Sequence, residues 1–127
     1  MRSKLQRISV VDDEVSVRRA MERLLRSAGM SVATFATSAE FFEDLLTHEV
    51  DCVVLDLHMP EESGFSVLAR LRASGRNLPV VVITGHDTPE SRGRSFQAGA
   101  NAYLLKPVGE EVLLKTIAEA IEESGGP

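Results

Sequence analysis

The chain has 127 residues, 43% of them hydrophobic and 26% charged, with a formal net charge of −5 at neutral pH. That length suits one domain around one core, and an acidic balance without a Lys/Arg-rich run argues against direct binding of nucleic acid. No apolar segment reaches membrane-spanning length, the basic N-terminal stretch meets acidic residues too soon for a secretory leader, and the single cysteine, Cys52, excludes an internal disulfide, so a reducing, cytoplasmic setting is expected.

Ile8 to Val11 reads as a first strand that stops at Asp12-Asp13-Glu14. A helix follows, with Val17, Met21, Leu24, Leu25 and Ala28 on one face and Gly29 just past its end. Ser31 to Phe35 is a second strand. Thr37 and Glu40 have the spacing of a capping box, and Phe41, Phe42, Leu45 and Leu46 form the apolar stripe of the helix they open. Cys52 to Leu55 is a third strand, with Cys52 a buried thiol. A third helix carries Phe65, Leu68 and Leu71 and fades at Ser74-Gly75. The run Leu78 to Ile83 is continuous and β-branched, as in a parallel strand covered on both faces. Between Thr88 and Ala98 the helical pattern is weak: Phe96 is its only large apolar residue and Gly93 sits mid-helix, so this helix is expected to be the least firmly docked. Gly99 ends it. Ala102 to Leu105 is the last strand. The last helix opens near Gly109 with Glu110 and Glu111 and turns Leu113, Ile117, Ala120 and Ile121 inward. A core of about 8–121 and a tail or linker start at 122–127 complete the chain.

Strand and helix alternate five times. Such a chain builds a parallel sheet with helices on both faces, here a flavodoxin-like (βα)5 three-layer sandwich of strand order 2-1-3-4-5. Ligands of such sheets bind outside the carboxyl ends of the strands. Asp12 and Asp13 end the first strand, Asp56 the third, Thr84 the fourth and Lys106 the fifth. Two carboxylates about 4 Å apart repel by roughly 4 kcal/mol at an effective dielectric of 20, so either one takes a proton or a divalent ion enters. Hard oxygen ligands at an open site suit Mg²⁺, with Mn²⁺ as a substitute. Asp56, at the end of a buried run, could act as a nucleophile and form an aspartyl-phosphate. A lysine, a hydroxyl and a metal would stabilise the transferring group.

The set DD at 12–13, LDLHMP around Asp56, ITG with Thr84, Tyr103, and KP at 106–107 resembles the receiver domain of two-component response regulators over Ile8 to Ile121. Within that family, ITGHD with AGANAYLLKP looks most like receivers of the nitrogen-fixation-regulator type. The resemblance implies that Asp56 accepts a phosphoryl group from a histidine kinase or phosphotransfer protein. It implies Mg²⁺ held by Asp13, Asp56 and the His58 backbone carbonyl, with Asp12 acting mainly through water. Thr84 and Lys106 would contact the phosphoryl group. Tyr103 would turn inward as Thr84 moves, reshaping the surface of the fourth helix, fifth strand and fifth helix. A cis Lys106-Pro107 bond, an output partner or DNA-binding domain outside this chain, and a phosphorylation-dependent homodimer through the fourth helix and fifth strand are further implications. His58 and His86 border the site and are candidates for setting the phosphoryl lifetime.

Each signal also has an ordinary reading. Asp12-Asp13 could cap a helix, Asp56 could be a loop residue, Thr84 plain β-branched packing, Lys106 surface charge, and Tyr103 core. The two histidines could be solvated loop residues, and His48 sits at a helix end. Two rival functions remain. A Mg²⁺-dependent phosphohydrolase with an Asp nucleophile would often carry a second acid two residues after Asp56, where His58 stands. A nucleotide-binding module would want a Gly-rich or Ser/Thr-rich loop after the first strand, where Asp12-Asp13-Glu14 stands.

Overall fold

The computed structural model describes residues 5–125. In chain order the elements are β1 (Arg7–Val11), α1 (Val15–Ser27), β2 (Ser31–Phe35), α2 (Ser38–Leu45), β3 (Cys52–Asp56), α3 (Gly64–Ala73), β4 (Val80–Thr84), α4 (Pro89–Gln97), β5 (Ala102–Leu105) and α5 (Glu110–Gly125). The strands form one parallel sheet of order β2-β1-β3-β4-β5. This is the expected flavodoxin-like arrangement. Among the described residues no helix is long and apolar enough to cross a membrane.

The central strands are buried on both faces because successive side chains alternate between two cores. Val53, Leu55, Val80 and Val82 face one core with Phe41, Leu68 and Leu71. Val54, Val81 and Ile83 face the other with Met21, Leu25, Leu113 and Ile117. α1 and α5 cover one side of the sheet, and α2, α3 and α4 the other.

Some local expectations need correction. Leu46, assigned to the apolar stripe of α2, is 78% exposed. That helix ends at Leu45, so the chain turns before Leu46 can reach the core. Thr37 accepts from the Glu40 amide at 3.2 Å, while Glu40 Oε1 accepts from the Ala36 amide rather than that of Thr37. The fourth strand begins at Val80, not Leu78; the Val80 amide is spent on Asn101 Oδ1 at 2.9 Å. α5 runs on to Gly125, so the stretch expected as a tail is helical that far, and Gly126-Pro127 lies outside the described residues.

α4 is the helix without an apolar anchor: Ser95 is its only buried residue and Phe96 is 43% exposed. Polar contacts hold it instead. Thr88 caps it by accepting from the Ser91 amide, the Arg94 guanidinium lies 4.0 Å over the Phe65 ring of α3, and Arg72 donates to the Gly99 carbonyl just beyond its end at 2.6 Å. Gly99 has φ +107°, a conformation that favours glycine.

Candidate phosphoacceptor site

The sheet register assembles the site. Val11 pairs with Leu55, so the next residue of each strand, Asp12 and Asp56, ends adjacent strands. Asp56 pairs with Ile83, and Thr84 with Leu105. The ladder continues past the strand ends: the Leu57 amide donates to the Ile83 carbonyl and the Lys106 amide to the Thr84 carbonyl. Backbone pairing thus places Asp12, Asp56, Thr84 and Lys106 along one edge.

Carboxylate oxygens of Asp12, Asp13 and Asp56 lie within 4.8 Å of one another. Asp12 is fully buried and Asp56 is 3% exposed, whereas Asp13 is open to solvent. Asp12 Oδ1 accepts from the Glu14 amide at 2.9 Å, and Asp56 Oδ1 from the His58 amide at 3.3 Å. Arg18 donates to the Asp12 carbonyl at 2.8 Å, fixing the end of β1. Lys106 Nζ stands 3.0 Å from Asp12 Oδ2 and 3.6 Å from Asp56 Oδ1.

The Asp12 and Asp56 carboxylates are reluctant to ionise. Burial raises the Asp12 pKa against the pull of the Glu14 amide and Lys106. Burial, then the charge of Asp12, pushes Asp56 up to about 7, with Lys106 and the His58 amide working the other way. Burial alone would lower the Lys106 pKa, but Glu14, Asp12 and Asp56 more than reverse it and hold the ammonium charged.

A hard divalent cation fits this donor set. The Asp12 Oδ2 atom is buried and has no aligned hydrogen bond, its approach to Lys106 being an ion-pair contact only. An oxygen in that state beside two further carboxylates is what such a cation satisfies.

The response regulator receiver domain model matches residues 8–118. The chain belongs to this family. The receiver is 35% identical over 115 residues to the response regulator protein TodT of Pseudomonas putida, an alignment covering 91% of this chain and 51% of TodT. It therefore spans about half the length of that curated relative. Its structure is similar to a CheY-like receiver domain from Methanospirillum hungatei, with a TM-score of 0.90 at 27% identity over 96% of this chain and 98% of that one. It is also similar to the beryllofluoride-activated NtrC4 receiver domain dimer, with a TM-score of 0.88 at 30% identity over 93% and 98% of the two chains.

Around the receiver's acid cluster, Thr84 is fully buried and its hydroxyl is spent within its own loop, accepting from the His86 amide at 3.0 Å and facing the His86 carbonyl at 3.3 Å. Tyr103 is 6% exposed and already points inward. The rings of His58 and His86, both solvent-exposed, meet edge to face at 5.9 Å. The Lys106-Pro107 peptide is cis. His48 lies away from this group, against Asp44 at the end of α2.

Two participants were not singled out from the sequence. Glu14 Oε1 accepts from Lys106 Nζ at 2.8 Å, closer than either aspartate; its place directly after Asp12-Asp13 was the available signal. Glu62 in the loop after β3 accepts from Ser38, Ser66 and Arg70 at 2.6–2.7 Å, tying that loop to α2 and α3. No local pattern announces a contact across 24 residues.

Proposed function

We propose that this receiver accepts a phosphoryl group on Asp56 from a histidine kinase or phosphotransfer protein and relays the event through the α4-β5-α5 surface. The observation that carries the reading is a nearly buried carboxylate bracketed on one sheet edge by two further aspartates and an ammonium. An Asp56 oxygen would form the new O–P bond in line with the breaking P–N bond, whose electron pair returns to the donor imidazole. Lys106 would neutralise charge on the phosphoryl oxygens, and the Thr84 hydroxyl, once released from its loop, would hold one of them. Asp13, Asp56 and the His58 carbonyl would hold Mg²⁺ or Mn²⁺, with Asp12 reaching it through water. When bound, that cation supplies charge neutralisation to the carboxylates and the incoming phosphoryl group.

The receiver would act only on itself, catalysing its own phosphorylation and slow dephosphorylation in the cytoplasm. Family membership favours this over a hydrolase of small phosphoesters. The output would be a partner or a DNA-binding domain outside these residues, since TodT is about twice as long. The nitrogen-fixation-regulator subtype rests on the ITGHD and AGANAYLLKP runs. Phe96, Leu105 and Val112, each at least 43% exposed, offer an apolar α4-β5-α5 face for a phosphorylation-dependent homodimer. Sedimentation with and without beryllofluoride tests it; a monomer in both states refutes it.

Intact mass after incubation with acetyl phosphate and Mg²⁺ tests the main reading. One added phosphoryl group, absent from Asp56→Asn and absent with EDTA, supports it. An adduct that persists in either control overturns it.

A further inference from the structure

We infer that Glu14 is a positioning residue that holds Lys106 away from Asp56 until a phosphoryl group draws it in. This rests on the reading of Asp56 as the acceptor. Lys106 Nζ has one aligned hydrogen bond among the described residues, to Glu14 Oε1 at 2.8 Å. Its approach to Asp12 at 3.0 Å is out of line for a hydrogen bond, and Asp56 at 3.6 Å is beyond hydrogen-bond range. Lys106 therefore spends its best contact on a carboxylate that is not one of the clustered aspartates.

Glu14 is built for that contact. It is the N-cap residue of α1, yet its side chain makes no capping bond. Its amide is fixed on Asp12 Oδ1 and its carbonyl accepts from the Arg18 amide, so the backbone cannot drift. The side chain itself is 56% exposed. A solvated carboxylate grips weakly and releases cheaply. A phosphoryl group on Asp56 brings a concentrated negative charge to the less exposed side of the same ammonium, where fewer waters screen it. Lys106 would then exchange Glu14 for a phosphoryl oxygen, and Glu14 would return to water.

Two substitutions separate reach from charge. Glu14→Gln removes the charge; Glu14→Asp keeps it but withdraws the carboxylate by one methylene. Both are compared with the unaltered chain for the rate of phosphorylation by acetyl phosphate with Mg²⁺, for beryllofluoride affinity and for thermal midpoint. Acetate leaves with the electron pair of its O–P bond as Asp56 takes the phosphoryl group, so no other reactant is needed. Both variants are expected to react and to bind beryllofluoride roughly fivefold better, the scale that an exposed ion pair commands, with the midpoint lowered by only the few degrees that the loss of one such pair accounts for. A Glu14→Asp variant that behaves like the unaltered chain while Glu14→Gln is faster would overturn the inference, because charge and not the grip on Lys106 would then be responsible. Equal or slower rates in both variants would overturn it as well. If the unaltered chain and both variants take up no phosphoryl group and bind no beryllofluoride, the acceptor reading itself falls and takes this one with it.

Discussion

The Tyr103 hydroxyl donates to Asp87 Oδ1 at 2.9 Å, fastening β5 to the loop between β4 and α4. Burial, then Asp87, raises the Tyr103 pKa, so the phenol stays a donor at neutral pH. The Arg92 guanidinium lies 5.5 Å over the same ring. Tyr103 is thus held from both its hydroxyl and its ring face by residues of the β4-α4 loop and α4. Tyr103→Phe is expected to cost about 1 kcal/mol in a denaturant titration, since exposed Asp87 can be rehydrated. Amide exchange at 85–97 should quicken more than elsewhere; uniform protection across that segment would contradict the fastening role.

Two glycines are expected to respond in opposite ways to alanine. A Cβ on Gly64 would lie 2.8 Å from the Leu57 Cα and 3.0 Å from the Asp56 carbonyl oxygen. Backbone cannot yield as a side-chain end does, so Gly64→Ala should cost about 2 kcal/mol or more and disturb the loop that carries His58. Around Gly93 no atom beyond its chain neighbours and its own helix backbone lies within 4 Å of the added methyl group, and the residue is helical. Gly93→Ala should gain about 0.5–1 kcal/mol. Thermal melts followed by circular dichroism check both signs.

The fold was largely legible in the sequence because its signals are local. Continuous β-branched runs mark strands buried on both faces, and Gly29, Gly75 and Gly99, all at positive φ, mark helix ends. The poorly anchored α4 could be read from the absence of apolar residues alone. Leu46 could not be placed correctly, because periodicity does not say where a helix stops. The acid cluster followed from the order of strand ends. What holds that cluster in place did not: Arg18 on the Asp12 carbonyl and Glu14 on Lys106 are contacts between elements that no local pattern announces. Glu14 and Lys106 are 92 positions apart.

Metal-free receiver should lose stability as pH rises. The pKa of Asp56 is raised from 3.8 to about 7 in the folded state, and that of Asp12 is raised too. Between about pH 4 and 7 the folded state therefore holds protons that the unfolded chain has released, and stability falls with increasing pH across that window. Chemical denaturation in EDTA should give a lower midpoint at pH 8 than at pH 5. Mg²⁺ should recover most of the difference at pH 8, because it binds the ionised cluster of the folded state alone. A midpoint that rises over this window without metal would mean that the carboxylates ionise normally.

His58 and His86 stand edge to face at the rim of the site, on the loops that follow β3 and β4. Imidazoles in that position can admit or exclude the water that attacks an acyl phosphate. Replacing each by Ala should change the dephosphorylation half-life by severalfold, a modest fraction of the range open to general acid–base groups. Decay timed by phosphate release with the donor removed gives the answer; half-lives equal to that of the unaltered chain in both variants would leave the rings as solvated loop residues.

Peptide mapping after incubation with acetyl phosphate and Mg²⁺, with the acyl phosphate trapped by borohydride reduction, bears most directly on the central claim. One reduced residue is expected, Asp56, in the peptide that contains VVLDLHMP, and none when Mg²⁺ is withheld. Modification at Asp12 or Asp13 in place of Asp56, or at Asp56 without any divalent ion, would contradict it.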